Sequence, residues 1–192
     1  MAGEAGAAEL GTIQAYTLGI QEVARFPLPG VRFADLTPAR EESLADAMRI
    51  AVGEVRRREA DAGTAFLALT DNQIAGYGWV LHGMFRVPEL LLEAPLPANH
   101  VYIWDCLTLP RYRGRGVFPA LLRHMLDELR GQGTRQAWAA TAPGNAASMR
   151  AFAKAGFRLV AYTHGGIGTF AAEPTAQATE EEAAVLRAIF RA

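Results

Sequence analysis

The sequence predicts an α+β domain with short appendages, and three observations carry that prediction. Helical periodicity alternates with strand-like runs only in the second half of the chain, two β-type runs are joined directly by the turn-forming pair Asp71-Asn72, and three stretches repeat apolar residues at helical spacing. The expected order is β-α-β-β-β-α-β-α-β. Residues 1–30 are rich in Ala and Gly, then punctuated by Pro27 and Pro29, with a brief strand-like run at 12–18; they read as a partly mobile extension. Residues 31–36 alternate as the first strand. Thr37-Pro38, with Glu41 and Glu42 close behind, opens a long helix whose Leu44, Ala47, Met48, Ala51, Val52 and Val55 share one face. Residues 64–70 and 73–81 form the hairpin, a loop runs through Pro97, and residues 100–109 make a strand stopped by Pro110.

The next helix, 117–130, turns Phe118, Leu121, Leu122, Met125, Leu126 and Leu129 inward. A strand at 136–141, a helix at 145–155 between Asn145 as N-cap and Gly156 as C-cap, and a strand at 157–163 complete the order. Thr179-Glu180-Glu181-Glu182 has capping-box spacing and leads into a tail helix with Val185, Leu186, Ile189 and Phe190 on one face. That face packs on its own domain or on a second copy of the chain, as a homodimer.

Composition excludes several classes. With 192 residues, 51% hydrophobic and 20% charged, the chain is neither disordered nor collagen-like, and it is long enough to bury a core without disulfides or structural metal. Its one cysteine, Cys106, agrees with a reducing compartment. A net charge of -1 gives no global field toward nucleic acid or an anionic membrane, so any anion site is local. The N-terminus lacks a basic and apolar leader pattern and no long uncharged apolar run occurs, so a cytoplasmic protein is expected. The excess of Arg over Lys, together with the many alanines, reads as GC-rich bacterial coding bias.

The local anion site is Arg111-Tyr112-Arg113-Gly114-Arg115-Gly116-Val117, between a strand and a helix start. Unpaired main-chain N–H groups and the positive helix end converge there, the glycines let a phosphate approach closely, and the arginines add charge. Pro119 at the third glycine's place excludes a dinucleotide GxGxxG, and there is no GxxxxGK loop.

This segment resembles the RxxGxG/A element after the fourth strand of the GNAT superfamily of acyl-CoA-dependent N-acetyltransferases, taken as Arg113, Gly114, Arg115, Gly116, Val117 and Phe118, with Phe118 at the last Gly/Ala place. A second family element, Asn-x-x-Ser/Ala-x-x-x-Tyr-x-Lys-x-Gly-Phe, is similar to Asn145, Ser148, Phe152, Lys154, Gly156 and Phe157, with Phe152 where the tyrosine stands. The resemblance covers residues 31–165. It implies a central mixed, mostly antiparallel sheet flanked by helices, with an acetyltransferase domain over 31–172 and a helical tail over 173–192. It implies acetyl-CoA as co-substrate, no metal, and a primary amine as acceptor, with a small molecule expected because no acidic cluster is present to steer a basic peptide.

In that reading Leu107, Thr108 and Leu109 lie along the pantetheine arm and residues 113–118 hold the pyrophosphate, with Asn145, Ser148 and Phe152 in the same cofactor set. Direct attack in a ternary complex leaves no role for a covalent nucleophile, so Cys106 reads as a buried strand residue. Losing the family's tyrosine at Phe152 costs about 10² to 10⁴ in rate if nothing replaces the acid. Tyr162 reaches toward the same space or serves as a rim residue. The fourth-strand positions that face the reaction are Tyr102 and Trp104, with His100 as the candidate base, while alternation turns Asp105 to the opposite face. Tyr77, Trp79 and Trp104 line an acceptor pocket or pack the core. His82, His124 and His164 have no metal-ligand spacing. A catalytically weak acyl-CoA sensor of the same fold is the alternative, and a nucleic-acid binder is disfavoured by charge.

Overall fold

The computed structural model of the chain describes residues 8–17, 27–166 and 169–190. Its strands are β1 (Ala8–Thr17), β2 (Arg32–Asp35), β3 (Gly63–Thr70), β4 (Gln73–His82), β5 (Met84–Val87), β6 (Leu92–Pro95), β7 (His100–Thr108), β8 (Gln136–Thr141), β9 (Arg158–Gly166) and β10 (Thr169–Pro174). The helices are α1 (Glu41–Met48), α2 (Val52–Ala60), α3 (Val117–Gly131), α4 (Ala146–Ala155) and α5 (Glu180–Ile189).

Eight strands form one sheet in the order β10-β9-β1-β8-β7-β4-β3-β2, antiparallel throughout except for the parallel pair β7 and β8. This is the mixed, mostly antiparallel sheet expected. Helices α3 and α4 cover one face through a core of Leu121, Leu122, Met125, Leu126, Leu129 and Phe152. Burying each such side chain contributes about 1.5–3 kcal/mol, which is why α3 presents one continuous apolar stripe. On the other face, α1 and α2 pack on β3 and β4, while α5 and the small β5–β6 sheet pack on β1, β8 and β9. Asp71 and Asn72 both take positive φ, 50° and 61°, the paired left-handed turn that the twist of a hairpin favours.

Four expectations are corrected. The expected extension contributes β1 to the interior of the sheet, where Ile13 and Ala15 are buried and pair between β8 and β9; of its other residues, 1–7 and 18–26 lie outside the described residues. Weak Ala/Gly flanks hid a strand whose partners lie more than a hundred residues away. The single long helix is two, because Arg49 adopts a left-handed conformation and Ile50 N–H closes on Ala45 O at 3.0 Å. No glycine marks that stop, so the periodicity ran straight through it, and Ala51 is exposed as a result. The loop before Pro97 contains β5 and β6, and β10 follows β9 as an edge strand that crosses the expected boundary at residue 172.

The tail helix packs on its own domain. Leu186 and Ile189 join the core beside Phe85 and Trp138. Both halves of the capping box at Thr179 and Glu182 form, and the buried Glu182 carboxylate also accepts from Gln136 Nε2 at 2.8 Å and Arg158 Nη2 at 2.5 Å. Burial pushes that carboxyl upward, but Thr179 N–H, Arg158 and Gln136 outweigh it and hold the pKa below the ordinary 4.5. No helix among the described residues is long and apolar enough to cross a membrane.

Candidate active site

Strands β7 and β8 pair only from His100 to Ile103, against Gln136 to Ala139, and then part company. The site is built around that divergence. On the α3 side lies a cleft of about 380 Å³, walled by the end of β7, the Arg113 to Pro119 turn and the outer face of α4. On the other side of the sheet lies a cavity of about 530 Å³. Cys106 lines the first and Asp105 the second, so the two spaces meet at adjacent residues.

The cleft suits an extended phosphate compound. Gly114 and Gly116 take φ of 74° and 80°, and Gly116 is the N-cap of α3 with no side chain capping it and no acidic residue in the first turn. The first N–H groups of a fifteen-residue helix therefore point out unpaired by any cap, where an anion is stabilised. Arg113, Arg150 and Lys154 stand in the wall. Beyond Ile103, no strand among the described residues pairs with the β8-facing edge of β7, and Thr108 Oγ1 is buried without a partner. Thr108 O accepts from Arg113 Nε at 3.1 Å, which ties the arginine to the end of the strand.

The two left-handed glycines also correct the register of the motif. Read from Arg111, the RxxGxG element falls on Arg111, Gly114 and Gly116 and is complete, while Phe118 is simply a helical residue of α3. Of the expected cofactor residues, Leu107, Thr108, Arg113, Gly114, Gly116, Val117, Phe118, Asn145 and Ser148 line the cleft. Three do not. Leu109 turns its side chain into the α1–α2 core and donates its N–H to Ala75 O at 2.9 Å; Arg115 is exposed outside the wall; Phe152 is buried behind it, edge-on to Phe118 and Phe157 at 5.5 and 5.0 Å. Asn145 Oδ1 caps α4 by accepting from Ser148 N–H at 3.1 Å. Tyr112, within the anion-site segment, also lines the wall, and Arg150 and Ala151 are wall residues that the motifs alone do not single out; they follow from the face that Ser148 and Lys154 define.

The cavity differs more from expectation. Residues Trp104 and Asp105 both line it because β7 carries a bulge: Tyr77 faces Leu107 and Trp79 faces Trp104, leaving one extra residue on β7, and Asp105 has φ of 41°. Aspartate tolerates this conformation better than most residues. The bulge cancels simple alternation, so a carboxylate does stand on the reactive face. Asp105 Oδ2 accepts from Arg58 Nη1 at 2.5 Å, and Arg58 also donates from Nε to Glu54 at 3.1 Å, with its guanidinium 4.6 Å from the Trp104 ring centre and 5.6 Å from that of Trp79. Tyr102 lines the cavity. Further walls come from Gly11, Thr12 and Ile13 of β1, Arg86 and Val87 of β5, and Phe190 after α5.

His100 is not there. It is buried at the start of β7, its Nδ1 accepts from Trp138 Nε1 at 3.2 Å, and burial lowers its pKa below the ordinary value, so it is a neutral structural residue that does not line the cavity. Tyr77 and Trp79 are core residues that line neither space, and burial raises the Tyr77 phenol above its ordinary range. Cys106, half-buried on the cleft wall and donating to Trp104 O at 3.4 Å, has its thiol pKa pushed upward by burial and then by Asp105, which keeps it a thiol. Tyr162 is 40% exposed on β9 and lines neither space. Among the described residues no His, Cys, Asp or Glu cluster is arranged to hold a metal ion.

The sequence matches the acetyltransferase (GNAT) family over residues 32–157. No curated protein matches it. Among solved structures it is similar in fold to a GCN5-related N-acetyltransferase from Sphaerobacter thermophilus (17% identity, TM-score 0.61, covering 80% of this chain and 50% of that one). It is likewise similar to a GCN5-related N-acetyltransferase from Kribbella flavida (19% identity, TM-score 0.55, 81% and 57%). A third similar structure is an aminoglycoside N-acetyltransferase in complex with CoA (20% identity, TM-score 0.52, 66% and 91%). The chain spans 50% and 57% of the lengths of the first two. A family match over most of the chain, a glycine turn that completes the RxxGxG element, and a sheet that opens beside it lead to one assignment: this protein belongs to the acetyltransferase (GNAT) family.

Proposed function

We propose that the protein transfers an acetyl group from acetyl-CoA to a primary amine of a small molecule, by direct attack in a ternary complex. The observation that carries this reading is the divergence of β7 and β8, which joins a basic, glycine-lined cleft to a separate cavity at Asp105 and Cys106. The residues present fit acetyl-CoA: unpaired helix N–H groups and Arg113 suit its pyrophosphate, and the open edge of β7 at Leu107 and Thr108 suits its amide-bearing arm. When bound there, it supplies a thioester carbonyl.

The chain's own groups then position and move protons. A main-chain N–H on the open edge of β7 stabilises negative charge on the carbonyl oxygen, and the cavity holds the amine against the same carbon, so approximation supplies a large part of the rate. Asp105, not His100, receives the proton that frees the amine lone pair, with Arg58 holding its carboxylate in place. A C–N bond forms and the C–S bond breaks. Of the two protons the ammonium loses, one leaves through Asp105 and one ends on the departing sulfur. With Phe152 packed in the core, that second proton comes through solvent.

Calorimetric titration with acetyl-CoA, followed by thiol release against a panel of amines, tests the reading. Binding with amine-dependent thiol release is expected, and both are weakened in Arg113→Ala and Gly116→Trp. Tight binding with no thiol from any amine favours an acyl-CoA sensor instead.

A further inference from the structure

The charge on the cavity wall says more about the acceptor than that it is an amine. Three ionised side chains line it among the described residues, Arg58, Arg86 and Asp105; each arginine is also paired with a carboxylate outside the wall, Glu54 and Glu93, so the wall itself presents two guanidinium edges and one carboxylate. A polyamine or a lysine-rich peptide would set its further positive charges against those guanidinium edges, which costs binding energy in a partly enclosed space.

Neither arginine is fully used. Arg58 spends Nε on Glu54 and Nη1 on Asp105, and its Nη2 has no partner among the described residues. Its side chain is only 14% exposed, between α2 and two tryptophan rings, so the remaining edge is held in a fixed place. Arg86 donates Nε and Nη2 to Glu93 at 3.0 and 3.2 Å and leaves Nη1 open. Glu93 is half exposed, and pairs of that kind contribute about 0–1 kcal/mol, so Arg86 can share itself with a ligand at little cost. Planar N–H edges of this type recognise carboxylates. Val87, Leu90 and Phe190 add apolar lining, and about 530 Å³ admits a molecule of amino-acid size with a large side chain.

The geometry points to a zwitterionic acceptor, an amino acid with an apolar side chain, whose amine faces Asp105 and whose carboxylate takes the open N–H edges of Arg58 and Arg86. This inference rests on the acetyl-transfer reading for its chemistry: the amine nitrogen gains the acetyl carbon, the thioester C–S bond breaks, and an N-acetyl amino acid and a free thiol result. Its recognition half stands on the cavity alone.

The test uses the full chain. Thiol release from acetyl-CoA is measured with each standard amino acid, with isoamylamine and phenethylamine as the decarboxylated partners of leucine and phenylalanine, and with kanamycin and a lysine-rich peptide. Binding of leucine and phenylalanine is measured in parallel by calorimetry, with and without CoA. We expect the best amino acid to exceed its decarboxylated partner at least thirtyfold in kcat/KM and the polycations to trail both. Arg86→Gln, which leaves the Arg58–Asp105 pair untouched, raises KM for the amino acid about tenfold and reduces that ratio by the same factor. A decarboxylated amine or a polycation that serves as well as any amino acid overturns the inference, as does an Arg86→Gln ratio equal to that of the wild type. If acetyl-CoA binds while neither leucine nor phenylalanine does and no amino acid is turned over, the inference falls and acetyl transfer stands. If acetyl-CoA does not bind, the transfer reading falls, and calorimetry without CoA still decides whether the cavity takes a zwitterion.

Discussion

The glycine-lined cleft and the acceptor cavity touch at Asp105 and Cys106, but they are assembled in opposite ways. Nearly all of the cleft comes from two short stretches, residues 106–119 and 145–154, each a strand end or turn running into a helix. The cavity draws on β1, α2, β5, β7, β8, β9 and the residue after α5, which span the chain from Gly11 to Phe190. In the proposed reading, a ligand common to many proteins is held by local main-chain geometry, and the acceptor by side chains that only the folded sheet brings together. The first kind of site tolerates change outside its motif, while the second depends on packing throughout the molecule.

Breaking the junction itself gives the largest expected effect. Asp105→Asn lowers kcat by about 10² to 10⁴ and leaves the calorimetric Kd for acetyl-CoA within about twofold, because it removes a proton acceptor from one space without touching the other. Next comes the cavity's dependence on long-range structure. A Cβ at Gly11 would stand 2.6 Å from Thr141 O, so Gly11→Ala displaces β1 from β8; we expect a loss of about 2–3 kcal/mol in urea unfolding and a raised acceptor KM. The reciprocal test is Gly116→Val, whose left-handed φ costs about 1–2 kcal/mol in a residue with a side chain and turns the helix N–H groups away. Acetyl-CoA affinity falls roughly tenfold or more while cavity ligands bind as before.

The smallest effect concerns α5, which brings Phe190 to the cavity. Glu182 ionises at lower pH in the folded chain than its ordinary 4.5, so its contribution is complete above about pH 4.5 and fades as acid protonates it. Glu182→Gln costs about 1–2 kcal/mol at pH 7 and flattens stability against pH below 4.5, which thermal unfolding across pH 3–7 will show.

The same contrast explains what was legible in the sequence. Gly114, Gly116, Asn145 and Ser148 announce themselves because turns and caps are local chemistry, while the register of the motif needs the left-handed φ of its glycines. Arg58 carries no such signal: it is one of three successive arginines on a helix, and only packing against Trp79 and Trp104 singles it out. Asp105 did leave a trace, a charged residue inside an apolar strand, which is where a bulge re-aims a side chain; strict alternation concealed it. His100 was misplaced for the converse reason, since good chemistry at the right spacing says nothing about whether Trp138 Nε1 already occupies the imidazole. The main-chain partners of β1 lie beyond any local pattern.

That strand has a further consequence in time. Gln14 pairs with Leu159, so β1 is made early and waits for most of the chain before its second neighbour exists. At typical ribosomal speeds of about 5–20 residues per second the wait lasts roughly 7–30 s, and β8, the first neighbour, is itself made late in it. The cavity that β1, β9 and Phe190 wall together is therefore complete only once Phe190 has been made.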